Sequence, residues 1–218
     1  MADKTIRKFR TLNYEIVVAT DRGVGARRRR DRLISSGVGF SIISAHGEGL
    51  TRFASAASSR APCAAESRPS DVLMRANDAC AERRIRADAS MCSCSLNADG
   101  ARLSSVGSFC CLLAIAGKRR SVQLFGPDLC AGSFGSEWFR LPLPVSVRRE
   151  LLREEGALVI LSAGICEHVT PRTLRTISDL HGSAAGTDDE QLALGLIEEA
   201  RLSLSKDDCT AVVCRAAY

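Results

Sequence analysis

Residues 156–171 read GALVILSAGICEHVTP. The apolar run at 157–161, bounded by glycine and then by Ser-Ala-Gly, reads as a buried strand with a polar segment beyond it. A strand that delivers its C-terminal end to a chemical site usually carries a charged side chain there. Here that place holds Ala163, which has no chemistry, and the reason must lie in what the rest of the chain is built to hold.

The 218 residues suffice for one substantial core. With 45% hydrophobic and 25% charged residues, the composition is that of a soluble globular protein. No segment approaches the roughly eighteen uninterrupted apolar residues of a membrane span. The N-terminal stretch MADKTIRKFRTLNYEIVV lacks the apolar core and small-residue cleavage site of a secretory signal, which favours the cytoplasm. In that setting the ten cysteines, including Cys92, Cys94, Cys110 and Cys111 inside apolar runs, read as small buried hydrophobes rather than a disulfide framework. No Cys/His spacing suits zinc.

Positive charge is concentrated early. Residues 1–34 hold ten Lys and Arg against four acids, and the remainder is near neutral. The densest part is ARRRRDR at 26–32. No aromatic side chains interleave with these arginines, so nucleic acid is not favoured. GVGARRRR at 23–30 lacks the Gly-Lys-Ser/Thr ending of a phosphate-binding P-loop.

Residues 14–20 and 37–49 read as strands, with the arginine run as a loop between them. The Ala/Ser-rich stretch at 50–60 suits a small-faced helix. Residues 66–89 make a second helix with Ser70 as N-cap and Leu73, Ala76, Cys80 and Ile85 along one face, its arginines towards water. From 90 to 125 follow two or three strands, turned by NADG and AGKRR, hence antiparallel. Residues 126–147 are irregular, with one short edge strand. After the strand at 157–161 come a short helix within 170–183, a longer one within 186–204 opened by a Thr187/Glu190 capping box, and a final strand at 209–215. The order implies an α+β layered fold with an antiparallel sheet core.

Four segments then stand in a telling order: Asp31 before the second strand, SAHGEG at 44–49 after it, LSAGI at 161–165, and KDDCT at 206–210. With the hairpin ASMCSCSLNADGARLSSVGS at 89–108, this order resembles the metal-dependent serine/threonine phosphatases of the protein phosphatase 2C type. The likeness is to the short bacterial branch of SpoIIE-like and RsbX-like enzymes of stress signalling. The resemblance implies a four-layer β-sandwich of antiparallel sheets flanked by helices, with residues 14–218 as a single phosphatase-like domain behind a basic extension at 1–13. It also implies a two-cation centre of Mn²⁺ or Mg²⁺, whose bound water attacks a phosphoserine or phosphothreonine.

Matched by position, Asp31 stands at the family's first acid. His46 replaces the bridging aspartate, and Gly47 matches the glycine whose carbonyl helps bind metal. Ala163 replaces the third acid, and Asp207, with Asp208 beside it, matches the fourth. A carboxylate bridges two cations with two oxygens and a negative charge; neutral imidazole offers one lone pair. The expectation is therefore a catalytically impaired domain without bound metal, which binds a phosphoprotein or a regulatory partner. Arg28, Arg29 and Arg30 would hold the phosphate by bidentate hydrogen bonds. Two alternatives stand beside it. One is an active phosphatase with an altered site, in which Glu48 or Glu167 supplies a carboxylate and His46 a single-metal ligand or general acid. The other is a basic module that uses the arginine run on an acidic partner. His168 and His181 read as surface residues, and Cys166 as a thiol with no base to activate it.

Overall fold

The strand at the centre of the sequence reading, β10 (Gly156–Leu161), is buried at every residue. Its alternate side chains explain why no polar residue is tolerated. Leu158 and Ile160 enter an apolar layer between two sheets, while Ala157, Val159 and Leu161 enter a second layer beneath helices. A strand covered on both faces is apolar throughout.

The computed structural model describes residues 4–11, 13–24, 29–36, 38–60, 68–87, 89–115, 120–126, 134–136, 139–140, 144–153, 156–170, 172–174, 176 and 188–217. At 29, 36, 46–50, 58–60, 115 and 120–121 it describes the backbone alone. The strands are β1 (Lys4–Arg10), β2 (Tyr14–Asp21), β3 (Arg29–Ser36), β4 (Gly39–His46), β5 (Ala89–Asn97), β6 (Gly100–Val106), β7 (Cys110–Ile115), β8 (Arg120–Phe125), β9 (Val145–Arg148), β10 and β11 (Cys209–Ala216). The helices are α1 (Gly47–Arg60), α2 (Pro69–Glu82), α3 (Arg149–Arg153), α4 (Ala163–Cys166) and α5 (Asp189–Leu202).

Two antiparallel sheets result, ordered β1-β2-β11-β10-β7-β8 and β3-β4-β5-β6-β9. Between them lies a core of Tyr14, Ile16, Phe40, Ile42, Leu103, Phe109, Ile160 and Val212 among others. The Tyr14 hydroxyl crosses the sandwich to donate to the Asn97 carbonyl at 2.8 Å. The outer face of the first sheet is covered by α5 through Leu192, Ala193, Leu196 and Ile197. The outer face of the second is covered by α1 and α2. The small side chains Ala54, Ala56 and Ala57 let α1 sit close to its sheet beside the buried Phe53. This is the four-layer α+β sandwich expected from the sequence.

Several elements differ from the sequence reading. The basic stretch read as an extension contains β1, which pairs along its whole length with β2, from Lys4↔Asp21 to Arg10↔Glu15. The arginine run does not end as a loop: Arg29 and Arg30 begin β3, which pairs with β4. Both are edge strands, where charge on the open side is tolerated and apolar alternation is weak. Ser70 is not the cap of α2. Arg68 holds that place without a side-chain bond, and Pro69 starts the helix, where a missing N–H costs nothing. In α5 the capping side chain is Asp188, which accepts from the Glu190 amide at 3.0 Å. Thr187 and residues 116–119 of the AGKRR turn lie outside the described residues; of the short helix expected within 170–183, residues 172–174 and 176 are helical, and 171, 175 and 177–183 lie outside them. The eight described cysteines are all buried and free.

Candidate functional site

Four segment ends meet at one end of the sandwich: the residues after β2, the start of β3, the β10–α4 junction and the residues before β11. Asp208 ties three of them together. One carboxylate oxygen accepts from the Gly23 amide at 2.9 Å and the other from the Asp31 amide at 3.2 Å. Gly23 is required there, because a Cβ would lie 1.9 Å from the Lys206 carbonyl. Gly164 is required too: a Cβ on it would lie 2.1 Å from the Asp208 carbonyl and 3.3 Å from the Asp207 Cβ. Gly164 therefore packs on the segment that carries Asp207 and Asp208, and its neighbour Ala163 is fully buried at the start of α4.

The 205–208 segment is clamped from behind. Arg201, on the last turn of α5, makes a 2.9 Å ion pair with the fully buried Asp21 and donates to the carbonyls of Asp21, Ser205 and Asp207. The Ser205 hydroxyl donates to the Gly164 carbonyl at 2.7 Å. Across the junction, the Ser162 hydroxyl oxygen accepts from the Thr210 amide at 2.9 Å. These bonds fix the segment that carries Asp207 and Asp208 against the end of β10.

Asp31 is electrostatically the most unusual residue here. Both of its carboxylate oxygens are buried, and neither has a partner in good hydrogen-bonding geometry. Burial pushes its pKa up to about 7. The nearby hydroxyls of Ser162, Ser44 and Thr210 oppose the shift, and the charge on Asp208 adds to it. Ser44 faces Asp31 because the two are paired across β3 and β4. His46 is paired with Arg29 at the end of β4, and Gly47 opens α1; the side chain of His46 is outside the described residues. Of the arginines assigned to phosphate, Arg30 is exposed, Arg29 is described in backbone only, and Arg28 lies outside the described residues. Glu167 is exposed at the C-cap of α4, and the side chain of Glu48 is not described.

Thus Asp31, Ala163 and Asp207 come together, and the backbone of His46 ends a strand beside them. Asp208, which the sequence match set only beside Asp207, and Asp21, Arg201, Ser44, Ser162 and Thr210, which it passed over, complete the site. Asp208 was within reach of period-two reasoning. It shares strand parity with Thr210, Val212 and Cys214, the last two of which lie in the inter-sheet core. Arg201 and Asp21 carried no local signal, being 180 residues apart.

Among the described residues the carboxylates are too few to fit a pair of divalent cations. Among the described residues no three of His, Cys, Asp and Glu are grouped to hold a metal ion. Asp208 gives both oxygens to backbone amides, and Ala163 offers none. Two doubly charged ions need several carboxylates to neutralise them. The thiols add no soft donor or nucleophile: burial raises Cys209 to about 12 and Cys166 well above its ordinary value. Among the described residues no helix is long and apolar enough to cross a membrane.

No family model and no curated protein matches the chain. Solved structures do. The serine/threonine phosphatase PstP of Mycobacterium tuberculosis superposes with a TM-score of 0.74 at 13% identity, over 95% of this chain and 100% of that one. The catalytic domain of PstP in complex with two manganese ions gives 0.72 at 14% identity, over 95% and 100%. RsbX in complex with magnesium gives 0.68 at 14% identity, over 98% and 100%. At such identities the likeness speaks for architecture, and the chain has the fold of the metal-dependent, protein phosphatase 2C-type serine/threonine phosphatases, RsbX among them.

Proposed function

We propose that this chain is a SpoIIE/RsbX-like phosphatase domain, its sandwich beginning with β1 and not at residue 14, that is catalytically impaired and works in the cytoplasm by binding a phosphoprotein or a regulatory partner. The observation that carries the reading is Ala163: it is fully buried at the β10–α4 junction, against the segment bearing Asp207, where a carboxylate would be needed. With that carboxylate absent and His46 at the bridging position, the cleft lacks the anionic oxygen to hold two cations. Arg29 and Arg30 begin β3, and with Arg28, which precedes them in the sequence, they would supply guanidinium forks for a phosphate that is held but not cleaved. Incubated with Mn²⁺ and a phosphoserine peptide, the protein should release no phosphate above buffer. Metal-dependent release that disappears in Asp207→Asn would overturn this.

One observation favours a second reading, an active enzyme with an altered site. The unpartnered Asp31 carboxylate is an oxygen pair that a single cation, Mn²⁺ or Mg²⁺, would satisfy. In that case Glu48 or Glu167 would add a carboxylate, with His46 as ligand or general acid. Unchanged Mn²⁺ affinity in Glu48→Gln and Glu167→Gln would remove this option.

A further inference from the structure

Among the described residues the sandwich is open along one side. β1 ends the first sheet and β3 ends the second, so each has a neighbour on one edge only. Between them run two adjoining cavities of about 310 and 550 Å³ that share Arg7 and Leu33. The parity of β1 turns Thr5, Arg7 and Phe9 towards this trough, since Phe9 packs on the inter-sheet core. Leu33 and Ser35 of β3 face them, and Leu33 also packs on that core.

Charge on β1 is divided by face. Lys4 and Lys8 are engaged by Glu198 and Glu190 of α5, and Arg10 is paired with Glu15. Arg7 has no such partner among the described residues, and it is the basic side chain common to both cavities. The larger cavity is lined by Arg7, Lys8, Phe9, Arg10, Thr11 and Ser35 together with Leu33, and none of these is acidic. Guarding an edge against aggregation calls for charge on that edge, which the paired lysines already supply. A spare guanidinium directed into a trough beside a half-buried Phe and Leu suits a ligand with an anion next to an apolar group.

We infer that the trough between β1 and β3 binds an extended acidic segment of a partner protein, with a carboxylate or phosphate on Arg7 and the adjacent apolar side chain against Phe9 and Leu33. The open edge of β1 offers backbone groups to a strand of up to seven residues. Nucleic acid is disfavoured, because only one aromatic ring lines the trough and base stacking needs a series of them. The smaller cavity is also lined by Asp31 and Asp208 of the cleft, with Arg22 and Arg32 beside them, but the Phe9 and Leu33 end of the trough lies in the larger, acid-free cavity, and binding there needs neither a working nor a dead metal centre.

The test is fluorescence anisotropy with a labelled heptapeptide alternating Glu with Leu and Val, the same peptide with one Glu replaced by phosphoserine, and labelled oligothymidylate. Binding of either peptide is expected below about 1 mM. Arg7→Glu should weaken it by about tenfold or more, Arg7→Gln by less, and Lys4→Glu, the same charge change on the opposite face, by under about twofold. Tighter binding of the phosphoserine peptide would assign the Arg7 position to phosphate, and equal binding to carboxylate. No peptide binding, equal loss in Arg7→Glu and Lys4→Glu, or oligothymidylate binding tighter than both peptides with the same dependence on Arg7 would each overturn the inference.

Discussion

Asp31 shows how a single residue records the state of the cleft. A free aspartate ionises near pH 3.9, whereas burial holds this one protonated to about 7. Below both values each state of the chain is protonated and stability is unaffected. Between them the unfolded chain ionises while the native state does not, so stability falls as pH rises from about 4 to 7 and is flat above. The loss is on the order of 4 kcal/mol in metal-free buffer, and Asp31→Asn should abolish that slope. Urea midpoints measured at intervals across the range would show it; parallel profiles for the two proteins would contradict it. Arg201 belongs to the same scale. Removing one member of its ion pair leaves Asp21 buried and charged without compensation, so Arg201→Met should cost about 3 kcal/mol by denaturant unfolding.

At the scale of elements, what the sequence revealed depended on how strongly burial was written into it. β10, β11 and the β5–β6 hairpin were legible because apolar runs and a four-residue NADG turn leave little choice. β1 and β3 were not, since edge strands bury one side at most and their open sides are basic. Caps were misassigned for a related reason: Ser70 and Thr187 have the right chemistry, but proline fixed the start of α2 two residues earlier and Asp188 already satisfies the first turn of α5. Asp188→Ala should therefore destabilise the protein by about 1 kcal/mol, and Ser70→Ala should be neutral within about 0.5 kcal/mol. Thermal melts of the two variants read this directly. Of the site, segment order put Asp31, Ala163 and Asp207 forward as candidates, while Arg201 and Asp21 meet only through the tertiary fold.

For the whole molecule, the sandwich brings the ends of β2, β3, β10 and β11 to one place whether or not that place retains chemistry. The architecture is held by three apolar layers that do not involve the cleft. The absence of a carboxylate at His46 and Ala163 is therefore compatible with an intact fold, and function is to be sought in the cleft's donors, not in the architecture. The most direct test is calorimetric titration of the purified protein with Mn²⁺, repeated with Asp207→Asn. Featureless heats in both proteins up to about 1 mM metal are predicted; a saturable isotherm with two ions per chain, abolished by Asp207→Asn, would contradict the proposal that the cleft has lost its pair of cations.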